Sequence, residues 1–216
     1  MNRLAIDLTL PRPGSPAELS GLAWRGRVAW LRRHRLTGIG LHLAPYSNEH
    51  AGALRELRNR PENQFNLAQG GVLTAEQQQG WGDAYAARDN DLCWAVLTPA
   101  GEFAGATRLY DIDGATAEKG GLVLREELAR GAPLALEAEL LLLHVAFHLI
   151  GLHTVSTQVR PENTKMLSIN RRLGFVPAGE TTLRGVPYLR AELAVAGFDP
   201  APLLPILSHW KNRHAR

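Results

Sequence analysis

The stretch RGAPLALEAELLLLHVAFHLIG, residues 130–151, decides the fold. A short loop of small residues, led by an arginine, runs into a long apolar segment, and Gly151 follows that segment as glycine commonly follows a helix C-terminus. Glu137, Glu139 and two histidines interrupt the segment, which is also shorter than the roughly 20 apolar residues of a membrane helix. We therefore predict a long buried helix.

The loop before this helix is a candidate anion-binding site. The first N–H groups of a helix have no partner inside the helix, and they lie at the positive end of its dipole. Gly131 and Ala132 allow the backbone to approach a phosphate closely, and Arg130 adds a charge-assisted donor. A plain loop ahead of a core helix would explain the apolar segment, but it would explain neither the arginine nor the small residues.

The rest of the chain alternates between strand and helix patterns. Alternating apolar residues, β-branched runs and turn sequences predict strands at residues 39–43, 92–97, 103–110, 116–124, 154–159, 175–183 and 187–195. Capping residues and apolar stripes predict helices from Ser47 or Asn48 to Asn59, from Thr74 to about Arg88, and at residues 163–172. The predicted fold class is α/β (α+β), with a mixed, mostly antiparallel central sheet and helices on both faces.

A second motif, NTKMLSINRRLGF at residues 163–175, opens a short helix with an asparagine and ends it with Gly-Phe before a strand. Together with the loop at residues 130–138, it resembles the two signatures of the GNAT superfamily of N-acetyltransferases. Each motif alone is common, but the two in this order and at this separation are specific. The resemblance covers residues 39–195.

Further segments resemble two groups within that superfamily. These groups acetylate ribosomal-protein N-termini or amino groups on nucleotide-linked sugars. The pair Arg58-Asn59, the run LTAEQ at residues 73–77 and Trp81 resemble their first two helices, and AEKG at residues 117–120 resembles the entry into their fourth strand.

The resemblance implies an acetyl-coenzyme A-dependent N-acetyltransferase that acts by direct attack of a primary amine and uses no metal. The amine would belong to a small molecule, a nucleotide-linked sugar or a protein N-terminus. Backbone N–H groups of the strand at residues 116–124, splayed from its neighbour, would hold the acetyl group and the pantetheine arm. The implied cofactor-binding residues are Leu122, Val123, Leu124, Arg130, Gly131, Ala132, Leu134, Ala135 and Asn163.

Glu118 and Tyr110 are the candidate catalytic residues. Glu118 begins the same strand and is the candidate base, acting on the amine through water. A plain solvent-exposed glutamate is the alternative for this position. Many relatives carry a tyrosine seven residues after the motif asparagine to protonate the leaving thiolate, but Asn170 stands there. Tyr110 or Tyr188 would have to replace it, unless the thiolate leaves without an acid.

Two departures from the family pattern leave a rival function open. Pro133 replaces the central glycine of the loop and lacks an N–H, which would cost about 1 kcal/mol of phosphate binding, although proline suits the start of a helix. Pro133 and Asn170 together favour a catalytically degenerate module that binds acyl-coenzyme A or a partner. His144 and His148 share a helix face without the glutamate of zinc proteases, and we predict ordinary helix histidines.

The N-terminal region is strongly basic. The chain has a net charge of +3, yet residues 1–40 alone hold seven arginines against two acids. We divide the chain into a basic extension at residues 1–36, the acetyltransferase domain at 37–198 and a tail at 199–216. Residues 1–10 are expected to form a loose arm. Residues 17–35 are predicted to form one helix packed on the body or on a second subunit in a homodimer, with its arginines in water.

The remaining composition bears on location and partners. Cys93 is the one cysteine, and its apolar neighbours predict an inert core thiol. The start of the sequence has no signal-peptide pattern, so we expect a cytoplasmic protein without a membrane partner. The basic cluster could meet nucleic acid, but no helix-turn-helix or zinc-finger spacing supports this, and nucleic acid is not among the expected partners.

Overall fold

The computed structural model describes residues 2–5, 16–67, 69–130 and 132–214, with side-chain placement from residue 16 to residue 209. Its strands are β1 Asn2–Ala5, β2 His34–Thr37, β3 His42–Pro45, β4 Leu92–Leu97, β5 Phe103–Tyr110, β6 Thr116–Leu124, β7 Thr154–Val159, β8 Val176–Leu183 and β9 Val186–Ala194. Its α-helices are α1 Trp24–Leu31, α2 Ala51–Arg58, α3 Pro61–Asn66, α4 Ala75–Ala86, α5 Glu126–Ala129, α6 Leu134–His144, α7 Thr164–Arg172 and α8 Leu204–His214.

The strands that the structure describes form one nine-stranded sheet in the order β1-β2-β3-β4-β5-β6-β7-β9-β8. Neighbouring strands are antiparallel except β1–β2 and β6–β7, which are parallel. The predicted mixed, mostly antiparallel sheet is therefore confirmed. Strand β3 begins at His42 instead of residue 39, because the Gly38 N–H donates to the Leu41 carbonyl at 2.9 Å and closes a turn there.

Helices cover both faces of the sheet. Helix α6 continues through a wider turn at Val145–Ile150, and Gly151, at φ +89°, ends it as predicted. This helix and α1 pack on one face, in the larger of two apolar clusters, whereas α2 and α4 pack on the other. In the part of the chain that is described, no helix is long and apolar enough to cross a membrane.

The prediction of one helix over residues 17–35 is wrong. Only Ala17–Leu19 forms a short 3-10 turn before Gly21, whose φ of +78° breaks the helical path. The α-helix is limited to α1, and His34–Thr37 is already strand β2. The expected loose arm is also wrong in part, because the backbone of Asn2–Ala5 pairs with β2. Residues 6–15, the rest of that arm among them, lie outside the described residues.

The N-terminal segment shares the core of the domain. Val28, Leu31 and Leu36 are fully buried in the same cluster as α6. The proposed boundary at residue 36 falls inside β2. Arg25 remains exposed to water as predicted, although it pairs with Asp89 at 2.8 Å. Arg27 and Arg32 do not, because they are half-buried and donate to main-chain carbonyls.

The lone cysteine is inert, as predicted. Cys93 lies in β4 with 4% of its surface exposed. Burial raises the pKa of its thiol to about 12, so the thiolate is not populated near neutral pH.

One buried ion pair joins the sheet to its principal helix. Lys119 of β6 and Glu139 of α6 form a salt bridge with 2% of each side chain exposed. The Lys119 ammonium also lies 5.0 Å from the centre of the Phe175 ring. Lys119 is the last residue of β6 that pairs with β7, opposite Thr157. The pair therefore fixes α6 on the sheet at the point where these two strands part.

We expect Lys119→Met to lower the free energy of unfolding by about 3–5 kcal/mol, because it leaves a buried carboxylate without its partner. The double variant Lys119→Met/Glu139→Leu should recover most of this loss, since it removes both charges. Urea unfolding followed by circular dichroism measures both. If the single variant were as stable as the wild-type protein, the pair would not be buried in solution.

Candidate active site

The sheet opens into a fork between β6 and β7. Their parallel pairing runs from Thr116 opposite Thr154 to Lys119 opposite Thr157, and it ends there. Strand β6 continues to Leu124 beside β5, and β7 continues to Val159 beside β9. The opening has the form that the family resemblance implies for the acetyl and pantetheine site.

A bulge at the base of the fork turns β6 away from β7. The register of β5 and β6 shifts between Ala106 and Arg108, and Gly121 has a φ of +64°, which favours glycine. A Cβ on Gly105 would meet the Val123 carbonyl at 2.0 Å, so that carbonyl points to β5.

Backbone groups of successive strand residues point to opposite sides. Since Val123 faces β5, Leu122 and Leu124 direct their N–H and C=O groups into the fork. The Arg125 N–H, two residues beyond Val123, donates to the Ala104 carbonyl of the β5 side at 2.7 Å, in agreement with this alternation. Of the three predicted backbone contributors, two therefore face the opening and Val123 does not.

The predicted anion loop leads into α6 as expected. Pro133 is the N-cap residue, and the Glu137 N–H is the first that bonds inside the helix, to the Pro133 carbonyl at 2.9 Å. The missing proline N–H therefore removes one of the four unpartnered donors and leaves those of Leu134, Ala135 and Leu136. Arg130 is exposed and Ala132 half-buried, and Gly131 lies outside the described residues.

A cavity of about 460 Å³ lies between α6 and α7. Two cationic residues, Lys165 and Arg172, line it, and they were missed by the sequence reasoning. Their spacing could have indicated that they lie together, because residues 165, 168, 169 and 172 share one helix face. Asn163 does not line the cavity; its side chain caps α7 by accepting from the Met166 N–H at 3.1 Å. The lining residues are Leu136, Thr164, Lys165, Ser168, Ile169 and Arg172.

The structure brings the two predicted catalytic residues together. The Tyr110 hydroxyl donates to Glu118 Oε1, and Gln158 Nε2 donates to Glu118 Oε2 at 2.7 Å. Burial and the bond to Glu118 raise the pKa of Tyr110, so the phenol remains protonated. Tyr188 is committed elsewhere, because its hydroxyl donates to the Asn66 carbonyl at 3.2 Å.

Asn170, at the position of the usual tyrosine, is 3% exposed. Its side-chain nitrogen and oxygen have no hydrogen-bond partner among the residues that the structure describes. An amide cannot supply a titrating proton, so it does not replace that tyrosine.

The two helix histidines are not among the lining residues of the cavities described here. The rings of His144 and His148 lie 5.0 Å apart, and burial, followed by the nearby His148, lowers the pKa of His144 to about 4. No group of three or more metal-ligating side chains occurs within the described ranges.

A second cavity, of about 420 Å³, lies on the α2 and α4 face of the sheet. Tyr110 and the bulge residue Gly121 place it beside the base of the fork. Three arginines but no carboxylate belong to its described lining. The lining residues are Leu54, Arg58, Leu67, Trp81, Cys93, Ala106, Thr107, Arg108, Tyr110, Gly121, Leu183 and Arg184.

The strand fork thus lies near two cavities, one lined by the cations Lys165 and Arg172 and the other lined by Tyr110, which donates to Glu118. Residues 40–176, well over half of the chain, match the family model described as an acetyltransferase (GNAT) domain. The chain belongs to the GNAT acetyltransferase family, and it is an N-acetyltransferase by that membership.

Solved structures share the fold. A spermidine N-acetyltransferase from Vibrio cholerae, in complex with CoA and spermine, is 16% identical over 74% of this chain and 98% of that chain, with a TM-score of 0.67. FdhC in its apo form, a nucleotide-linked sugar GNAT, is 18% identical over 84% and 97%, with a TM-score of 0.65. A GCN5-related N-acetyltransferase from Brucella melitensis is 21% identical over 84% and 85%, with a TM-score of 0.63. No curated protein matches the chain.

The four tyrosines should titrate late in the folded protein, because burial raises the pKa of each one. At about pH 10, where half of the phenols ionise in the unfolded chain, we expect little tyrosinate absorbance at 295 nm from the folded protein. Tyr110→Phe should remove amplitude only from the last phase. Loss of an early phase near pH 10 in this variant would show that Tyr110 ionises freely.

Proposed function

We propose that this protein transfers an acetyl group from acetyl-coenzyme A to a primary amine by direct attack. The observation that carries the proposal is the fork between β6 and β7, with Glu118 held beside Tyr110 at its base. One cavity lies between α6 and α7, and the other lies on the opposite face of the sheet near the same fork.

Acetyl-coenzyme A suits the first cavity and the fork. Lys165 and Arg172 offer cations to its phosphates, and Arg130 with the first turn of α6 offers further donors. The backbone groups of Leu122 and Leu124 would hold the pantetheine arm and the acetyl oxygen within the fork. Asn163 contributes indirectly, because it caps the helix that carries Lys165 and Arg172.

Amine attack needs a neutral nitrogen, and Glu118 is positioned to take the proton directly or through a water molecule. The nitrogen then forms a bond to the acetyl carbon, the carbon–sulfur bond breaks, and the thiolate of coenzyme A leaves. Tyr110 donates to Glu118 and stays protonated, so we propose that it positions this carboxylate with Gln158. The thiolate would then leave without a tyrosine acid.

The acceptor would be a small amine, a nucleotide-linked sugar or a protein N-terminus. The arginine-rich cavity disfavours a polycation such as spermidine, although one structural relative is a spermidine N-acetyltransferase. The alternative is a catalytically degenerate module that binds acyl-coenzyme A or a partner, and the absence of turnover with every amine tested would support it. We also propose a cytoplasmic location, in keeping with the single cysteine.

Glu118→Gln should lower kcat about 10²- to 10⁴-fold, because it removes the base. The Kd for acetyl-coenzyme A should change less than about twofold, since no phosphate contact is lost. Coenzyme A release across an amine panel, with calorimetric binding in parallel, measures both. Glu180→Gln, an exposed change on β8, is the matched control. Equal turnover by Glu118→Gln and wild type from pH 6 to 9 would exclude Glu118 as the base.

Acetyl-coenzyme A should raise the Tm of the wild-type protein, because it binds the folded state. Arg172→Gln and Lys165→Gln should each weaken binding about tenfold, or about 1.4 kcal/mol. The neighbouring control Arg171→Gln changes a charge outside the cavity lining. An unshifted wild-type Tm at millimolar ligand would contradict the function, and equal losses in the control would contradict the assigned cavity.

A further inference from the structure

We propose that the acceptor amine carries an anionic group, a carboxylate or a phosphate, which Arg58 binds together with Arg184 in the cavity beside the fork. The inference rests on the proposed function, because that function makes this cavity the acceptor site. It narrows the proposed acceptors from primary amines in general to primary amines that also carry a carboxylate or a phosphate.

Arg58 is a half-buried cation, and none of the described residues forms a salt bridge with it. It is the last residue of α2, and its Nε has no hydrogen-bond partner in the described structure. Burial lowers the pKa of Arg58, and the nearby charges of Arg108 and Arg184 lower it further. A guanidinium remains ionised even so, and a partly buried charge with an unsatisfied N–H is unfavourable for the fold. A ligand anion would satisfy it.

Arg108 cannot fill the same role, because a carboxylate already neutralises it. Its Nε donates to Asp91 Oδ1 at 2.8 Å, and Asp91 is 1% exposed. Asp91 faces Arg88 as well, at 3.2 Å. The cavity therefore keeps an excess of positive charge after this internal pairing.

Arg184 reaches the cavity from the tip of the β8–β9 hairpin. Arg184 and Gly185 have φ values of +52° and +77°, the pattern of a two-residue turn that usually holds asparagine, aspartate or glycine. An arginine in this region costs roughly 1 kcal/mol or more. The arginine lines this cavity and two adjoining cavities of about 440 and 340 Å³. Its unfavourable backbone conformation therefore places a positive charge beside all three cavities.

The rest of the lining gives the acceptor a direction. Trp81, Leu54 and Leu67 give the cavity an apolar lining, and Tyr110, which donates to Glu118, lines it too. An acceptor with its amine beside Tyr110 and its anion at Arg58 would contact both groups. The planar guanidinium group can bind the oxygens of a carboxylate or of a phosphate equally well.

Matched acceptor pairs test the inference in the full-length enzyme. One pair is a small amino acid and its amide, and the other is O-phosphoethanolamine and ethanolamine. In each pair we expect kcat/KM to favour the anionic member, and the larger ratio identifies carboxylate or phosphate as the source. Arg58→Gln should reduce kcat/KM for the anionic member about 10- to 100-fold and leave the neutral member within about threefold.

Arg55→Gln is the control, since it removes the same charge from the same helix outside the cavity lining. Arg58→Lys keeps the charge and should retain part of the preference, which separates charge recognition from a folding defect. Absence of preference in the wild-type enzyme, or an unchanged preference in Arg58→Gln, would overturn the inference.

A binding measurement distinguishes this inference from the proposed function. Inorganic phosphate and acetate are titrated into protein saturated with coenzyme A, which already occupies the other basic cavity. We expect anion binding in wild type and Arg55→Gln and its loss in Arg58→Gln. If no amine is turned over while this pattern holds, the transfer function fails and the anion site stands. If the anions bind all three proteins alike, or none, the site fails.

Discussion

The buried ion pair between Lys119 and Glu139 is the constraint on which the site depends. It ties β6 to α6 at the residue where β6 leaves β7, so the base of the fork and the start of the helix have a fixed relation. The bulge at Gly121 can then turn the end of β6 outward without loosening the sheet. A buried pair is costly to desolvate, but it specifies one register of helix on strand.

The two cavities place positive charge on both sides of the proposed reacting centre. On one side, cations from α7 suit phosphates, and on the other, Arg58 and Arg184 suit an anionic acceptor. Nearby cations also favour the neutral form of a bound amine, because they disfavour its ammonium form. The same charges that select the acceptor would therefore help Glu118 to deprotonate it. The positive charge of the cavity would therefore serve both to bind the anionic acceptor and to favour the neutral form of its amine.

The sequence predicted the parts of the fold that depend on local patterns. Strands β4 to β7 have their predicted bounds, and Thr74 and Asn163 cap the helices expected of them. The prediction of one N-terminal helix was wrong because it gave more weight to the spacing of the apolar residues than to the break at Gly21. The acceptor cavity could not be found from the sequence, since its arginines come from a helix end, a strand and a hairpin tip. Those side chains meet only through long-range pairing of the sheet.

The parallel pairing of β6 and β7 has a consequence for the order of folding. Strands β4, β5 and β6 are joined by short turns, so their antiparallel pairing closes small loops. Pairing β6 with β7 instead requires residues 125–153 to cross over the sheet as α5, α6 and the wider turn that follows. Contacts between residues so distant in the chain form slowly. We therefore expect strands β4, β5 and β6 to pair early and the fork to form late. The protein would then become able to catalyse its reaction only at the last stage of folding.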